Sequence, residues 1–136
     1  MRFDTKIAAV VRTDLAVWQR LNVLAFLVSG LGTAHPEVIG EPYRDGSGAC
    51  YLPMFRQPVM VFGADTDGLQ RVRERAAARD VRLALYVEDM FATGNDVDNR
   101  AAVACHASGD LPLVGVALYA ERQSVDRITA GLRLHS

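Results

Sequence analysis

Four short apolar runs mark out the chain: KIAAVVR at Lys6–Arg12, VMVF at Val59–Phe62, VRLALYV at Val81–Val87 and LPLVGVALY at Leu111–Tyr119. Each is bounded by polar or turn residues and is apolar at successive positions, the pattern of a strand covered on both faces. Between them the spacing becomes helical. Leu15 to Ser29 follows Thr13-Asp14, either of which can accept the first free amide protons, and is expected to stop at Gly30 and Gly32. Leu15, Trp18, Leu21, Leu24, Phe26, Leu27 and Val28 cover most of that helix's circumference, so it is expected to be enclosed, in part by another subunit. Gly68 to Arg79 sets Leu69, Val72 and Ala76 on one face behind a cap at Asp65 or Thr66. Asp96 or Asp98 is expected to cap a helix from Asn99 to Ala107, and Ser124 a last helix carrying Val125, Ile128 and Leu132.

The irregular part, Thr33 to Gln57, holds three prolines and the turn RDGSG at Arg44–Gly48. Asp-Gly and Gly tolerate the positive φ of tight turns, so a small hairpin is expected there. Strands alternating with helices predict one domain over residues 1–136: a three-layer α/β/α sandwich, with a mixed but mostly parallel sheet of about four strands plus the hairpin.

Composition narrows the function classes. Half of the 136 residues are apolar, 23% are charged and the net charge is -1. A chain of this length buries roughly two-thirds of its surface, enough for a core. A net charge so near zero gives no general reason to bind a phosphate backbone, so no nucleic-acid partner is expected. The N-terminal MRFDTKIAAVVRTD is not expected to act as a signal peptide, and LNVLAFLVSGLG is shorter than the ~20 residues that cross a bilayer. Cys50 and Cys105 match no zinc spacing and are expected as reduced thiols in a cytosolic protein.

KIAAVVRTDL resembles the opening strand and turn of the type 2 peptidyl-tRNA hydrolases, in which a Val-Val-Arg-x-Asp-Leu strand end runs into a helix. LPLVGVALYAERQSVDRITAGLRLHS is similar to that family's closing strand and helix, and PVMVFGADTDGLQRVRERAAARDVRLALYVED to its strand-helix-strand; only the hairpin has no counterpart. A closer likeness is to a small bacterial family of unknown function placed in the same fold. The resemblance implies a mixed sheet of about four strands. It carries the chemistry over poorly. The family's lysine, glutamine and histidine places are taken by Trp18-Gln19-Arg20, Ala25 and Val28, and the guanidinium of Arg20 cannot act as a base. Asp89 and Thr93 do match an acidic residue followed four positions on by threonine, and so become the catalytic candidates. Inherited peptidyl-tRNA hydrolysis is not the expected activity.

Asp89 lies beyond the carboxyl end of the third apolar run, where open α/β sheets bind ligands. Asp89, Thr93, Asn95 and Asp96 would then face a cleft, with Asp89 orienting water and Thr93 and Asn22 holding a carbonyl. The competing reading is that Thr93-Gly94-Asn95-Asp96 only turns the chain and caps a helix. Asn22 interrupts the apolar first helix and must bond either to loop backbone or to a ligand. Arg12 and Asp14 either join the cleft or form a surface ion pair. Cys105 and His106 point about 100° apart on a helix and read as a buried thiol beside a surface imidazole rather than a nucleophile and its base. His35 and His135 are scattered, so no metal site and no cofactor are expected. Arg71, Arg75 and Arg79 form a row that is either a solvated face or a phosphate contact. Two functions stay open: a divergent hydrolase or transferase acting on a small ester or amide, and a non-catalytic module for a small-molecule ligand or for assembly. A homo-oligomer is expected in either case.

Overall fold

The computed structural model describes all residues 1–136. Its first strand, β1 (Thr5–Arg12), shows how the architecture arises from the apolar runs. Ile7, Ala9 and Val11 point into one hydrophobic core, whereas Ala8 and Val10 point into another on the opposite side. The strand period of two sends successive side chains to opposite faces, so an uninterrupted apolar run demands cover on both. Helix α1 (Val17–Ala34) supplies Val23, Leu27 and Leu31 to the first core. Helices α2 (Thr66–Ala78) and α4 (Arg122–Ile128) cover the other face with Leu69, Val72, Ala76, Val125 and Ile128. Each fully buried Leu, Val or Ile among them contributes about 1.5–3 kcal/mol.

The sheet is mixed and mostly antiparallel, which corrects the expected mostly parallel sheet of four strands. The β-α-hairpin excursion from β1 to β4 (Val59–Ala64) leaves those two strands parallel, while β5 (Ala84–Val87) and β6 (Leu113–Glu121) pair antiparallel with each other, as does β6 with β1. A fifth strand, β7 (Arg133–Leu134), pairs antiparallel with β4, so that the order is β5-β6-β1-β4-β7. Apolarity on both faces reports that helices cover a strand, not which way it runs; direction follows from the connections. β7 has only two residues, too few to show any period. The expected hairpin is present as β2 (Tyr43–Arg44) and β3 (Cys50–Tyr51), with Gly48 at φ 86°. Asp45 accepts the amide protons of Ser47 and Ala49 at 2.9 and 3.0 Å and the Tyr51 hydroxyl at 2.8 Å.

Helix boundaries moved where a tertiary contact outweighed a local signal. Neither Thr13 nor Asp14 caps α1; the Gln19 side chain instead accepts the Ala16 amide proton at 3.0 Å. The helix also continues through Gly30 and Gly32 to Ala34. At Gly30 an added Cβ would lie 3.3 Å from Ala84 Cβ, so this glycine serves close packing rather than termination, whereas at Gly32 the nearest atom, on Ile39, is at an ordinary contact distance of 3.6 Å. Pro36 follows the actual end. Asp65 caps α2 as expected, accepting from Gly68 N at 2.8 Å. The helix α3 (Asp96–Ala104) is capped by Asn95 rather than by Asp96 or Asp98, and Ser124 lies inside α4 instead of capping it. The expected enclosure of α1 is incomplete: Val17, Trp18, Leu21 and Phe26 remain exposed. No helix is long and apolar enough to cross a membrane.

Candidate functional site

α1 leaves Trp18, Asn22 and Phe26 on one line of its outer surface, because residues four apart stack along a helix. Opposite them, β5 ends at Val87 and the chain makes a 3-10 turn, Glu88–Ala92, before α3 begins. Thr93 closes that turn, its hydroxyl donating to Met90 O at 2.9 Å. The same hydroxyl also contacts Asn99 Oδ1, tying the turn to the first turn of α3. Asn95 Oδ1 accepts from Asp98 N at 2.9 Å, starting α3, and Asp96 pairs with Arg100 one turn later. α1, Tyr86 at the end of β5, and the Met90–Arg100 segment thereby enclose a groove of about 610 Å³.

One wall of the groove is aromatic. Trp18 meets Phe91 edge-on at 6.2 Å between ring centres, Phe91 lies 5.2 Å from Tyr86, and Tyr86 5.7 Å from Phe26. Such pairs add about 0.5–1.5 kcal/mol each beyond their burial and hold the wall in shape. The Tyr86 hydroxyl points to Met90 O at 3.5 Å. Burial pushes its pKa above the usual tyrosine value, and a hydrogen bond with Asn22 only partly opposes this. The phenol is therefore neutral near pH 7. Asn22 stands among these rings, between Trp18 and Phe26, and the other wall is polar, formed by Thr93, Asn95, Asn99 and the Asp96–Arg100 pair. Ser29, at one end, donates to Phe26 O at 2.6 Å within its own helix.

The residues singled out in the sequence divide between this groove and its surroundings. Asn22, Thr93, Asn95 and Asp96 line it together. Arg12, Asp14 and Asp89 do not. Arg12 Nε donates to Asp14 at 2.5 Å and its Nη1 to Glu88 at 3.3 Å. Burial opposes the charge of Arg12, but the two carboxylates outweigh it and hold the pKa above the ordinary arginine value. Asp89 faces His106, whose Nε2 lies 3.2 Å from Oδ2. The expected roles of Cys105 and His106 are reversed, since the thiol is exposed and the imidazole is partly buried against Asp89. The arginine row is broken as well: Arg75 donates to Ile128 O and Ala130 O at 3.3 and 3.0 Å, serving the end of α4.

Sequence reasoning overlooked Tyr86, Phe91, Asn99 and Arg100 as groove residues, and it read Trp18 and Phe26 as enclosed. Their signal was the four-residue line Trp18-Asn22-Phe26, an amide bracketed by two aromatics. Chemically the groove can stack a flat surface against aromatic rings and satisfy donors and acceptors along its edge. It holds no pair of nucleophile and base.

Among the comparisons with known proteins, a family model described as "Protein of unknown function (DUF2000)" matches residues 5–136. A solved structure of a protein of unknown function from Agrobacterium tumefaciens strain C58 is similar at 48% identity, covering 99% of this chain and 100% of that one, with a TM-score of 0.96. No curated protein matches.

Proposed function

The chain belongs to the family described as "Protein of unknown function (DUF2000)", and from its own groove we propose that it is a non-catalytic binding module for a small planar ligand with a hydrogen-bonding edge, such as a heteroaromatic amide. One observation carries this reading: aromatic rings and three side-chain amides line one groove of about 610 Å³, a volume typical of small-molecule sites, whose one carboxylate, Asp96, is paired with Arg100. Binding to such a groove combines stacking on Trp18 or Phe91 with reading of the ligand edge by Asn22, while Asn95 and Asn99 are held by Asp98 and Thr93 and shape the polar wall. The Asp96 and Arg100 side chains are largely exposed, so a charged ligand substituent can exchange for their mutual contact. A divergent hydrolase using Asp89 and Thr93 fits less well, because Asp89 is engaged with His106 outside the groove and Thr93 is engaged within its own turn.

We read residues 1–136 as one α/β domain, since the two cores share the central strand β1 and neither closes without it. Helices on both sheet faces support a three-layer organisation similar to that of the type 2 peptidyl-tRNA hydrolases. Exposed free thiols at Cys50 and Cys105 support a reducing, cytosolic setting.

The test uses the single tryptophan, Trp18, which stands in the groove wall and reports its occupancy. Nicotinamide, adenine and uracil are titrated while Trp18 emission is followed, with Asn22→Ala as the comparison. Saturable change with at least one of the three, weakened tenfold or more by Asn22→Ala, is expected. Saturable binding that Asn22→Ala leaves untouched, or no saturable response to any of the three, would remove the proposal.

A further inference from the structure

An 18-residue helix lying on a protein surface ordinarily carries charges on its outer side, yet α1 has only one charged residue, Arg20. That side chain folds back along the helix, its Nε donating to Leu15 O at 2.9 Å. The exposed positions run in two adjacent lines, Val17-Leu21-Ala25-Ser29 and Trp18-Asn22-Phe26. Val17, Trp18 and Leu21 are 64, 63 and 64% exposed and Phe26 is 49% exposed. The result is an uncharged crest standing between two hollows. On one flank is the ligand groove; on the other is a mainly apolar groove of about 390 Å³, where Val17, Leu21 and Leu24 face Val11, Val61 and His135 and where the folded-back Arg20 also contributes to the lining.

We propose that this surface seats a second copy of the chain, the two α1 crests packing across a two-fold axis with each crest running along the apolar flanking groove of the other. Three observations favour a second copy over other occupants. A crest beside a groove on the same face is self-complementary, which is what an isologous interface requires. Charge depletion marks the centre of an interface, and a crest without charges meets itself with no like-charge repulsion. A membrane surface would call for basic residues beside the apolar ones, and α1 has only the folded-back Arg20. With roughly 150–250 Å² per aromatic side chain, Trp18 and Phe26 expose about 250 Å² between them at 63 and 49%. Val17 and Leu21 bring the crest to about half of the roughly 800 Å² that each partner buries in a standard-size complex, the scale of a weak, concentration-dependent association. Ala25, in the middle of the crest, lets the two helices approach closely.

The crest shares Trp18 and Phe26 with the groove, but the test needs no ligand: it is the oligomeric state of the whole chain. Sedimentation velocity at about 1 to 100 μM should give a mass that rises with concentration toward twice the 14.8 kDa chain mass. Leu21→Arg, with unchanged far-UV circular dichroism, should give the single-chain mass. Val97→Arg changes an equally exposed side chain, 69% accessible, on α3 rather than on α1 and should leave the double mass intact. Dilution of the unmodified chain supplies a readout that needs no variant: Trp18 emission should shift to the red as the copies separate. A single-chain mass at every concentration would overturn the proposal, as would a Leu21→Arg chain that keeps the double mass or a Val97→Arg chain that loses it. A single-chain protein that co-sediments with phosphatidylserine vesicles would likewise overturn it and assign the crest to lipid.

Discussion

Gly115→Ala tests whether the floor beneath the groove is set by close packing. Gly115 lies on β6, paired with Tyr86 of β5 on one side and Val11 of β1 on the other, directly under α1. A methyl at this position would sit 2.7 Å from Val23 Cγ1 and 3.0 Å from Leu27 Cδ1, both inside the 3.4 Å at which ordinary contact begins. Val23 and Leu27 are fully buried on α1, so relief requires the helix to lift from the sheet or its side chains to leave their preferred rotamers. Overpacking of this kind costs about 1–3 kcal/mol. Replacing glycine also narrows the unfolded ensemble, which stabilises by about 0.4–1 kcal/mol where the new side chain fits. Gly115 has no positive φ to add strain, so packing decides the sign and a net loss of roughly 1–2 kcal/mol is expected. Unfolding entropy of about 2.1 cal/mol/K per residue makes that a fall in Tm of about 3–7 °C for a chain of this length. The comparison is Gly94→Ala, where nothing lies within 4 Å and φ is negative, and which should melt at or slightly above the unmodified chain. Calorimetry reads both. Equal melting of the two variants would mean that α1 has slack over β6 and that the packing argument is mistaken.

Asp65→Ala removes the acceptor for Gly68 N at the start of α2 and should lower stability by about 1 kcal/mol in urea denaturation, with an unchanged m-value. Leu118→Ala, fully buried in the α2–α4 core, should cost about 2–5 kcal/mol in the same assay. Asp45 is held below the ordinary carboxylate pKa of 3.8, first by the Tyr51 hydroxyl and then by the backbone amides of Ala49 and Ser47. A lowered folded pKa stabilises the charged form above the unfolded pKa, so the hairpin contribution should be complete above about pH 4 and be lost as acid passes below it. The Tyr51 ring resonances in a pH-resolved NMR series report that loss, and Asp45→Asn should abolish the dependence.

Legibility in the sequence followed how local the determining force was. β1 and the Leu69-Val72-Ala76 face of α2 were readable because burial imprints a period on consecutive residues. Strand direction was not, since nothing within Val81–Val87 records that β6 will run antiparallel beside it. Gly30 was misread as a helix stop because its role depends on Ala84, more than fifty residues further on. The site was half legible for the same reason. Asn95 and Asp96 advertise a helix start, and Asn22 is conspicuous among apolar neighbours. The placement of Tyr86 and Phe91 against Trp18 exists only once β5 and α1 share one side of the sheet. The His106–Asp89 pair, likewise, needs α3 to fold back over the turn that precedes it.

The middle position of β1 in the sheet bears on biosynthesis. Ala9 has Ala117 as its ladder partner on one side and Val61 on the other. While the chain leaves the ribosome, Ile7–Val11 can acquire β4 at an intermediate stage but must await the emergence of β6 before its other edge is closed. An early apolar segment then waits for a late one, the situation in which long-range pairing slows folding and exposes a nascent chain to chaperones. Release of a ribosome-stalled chain ending before Leu113 should therefore yield a protease-sensitive product, and extension through Glu121 should be the step at which resistance first appears.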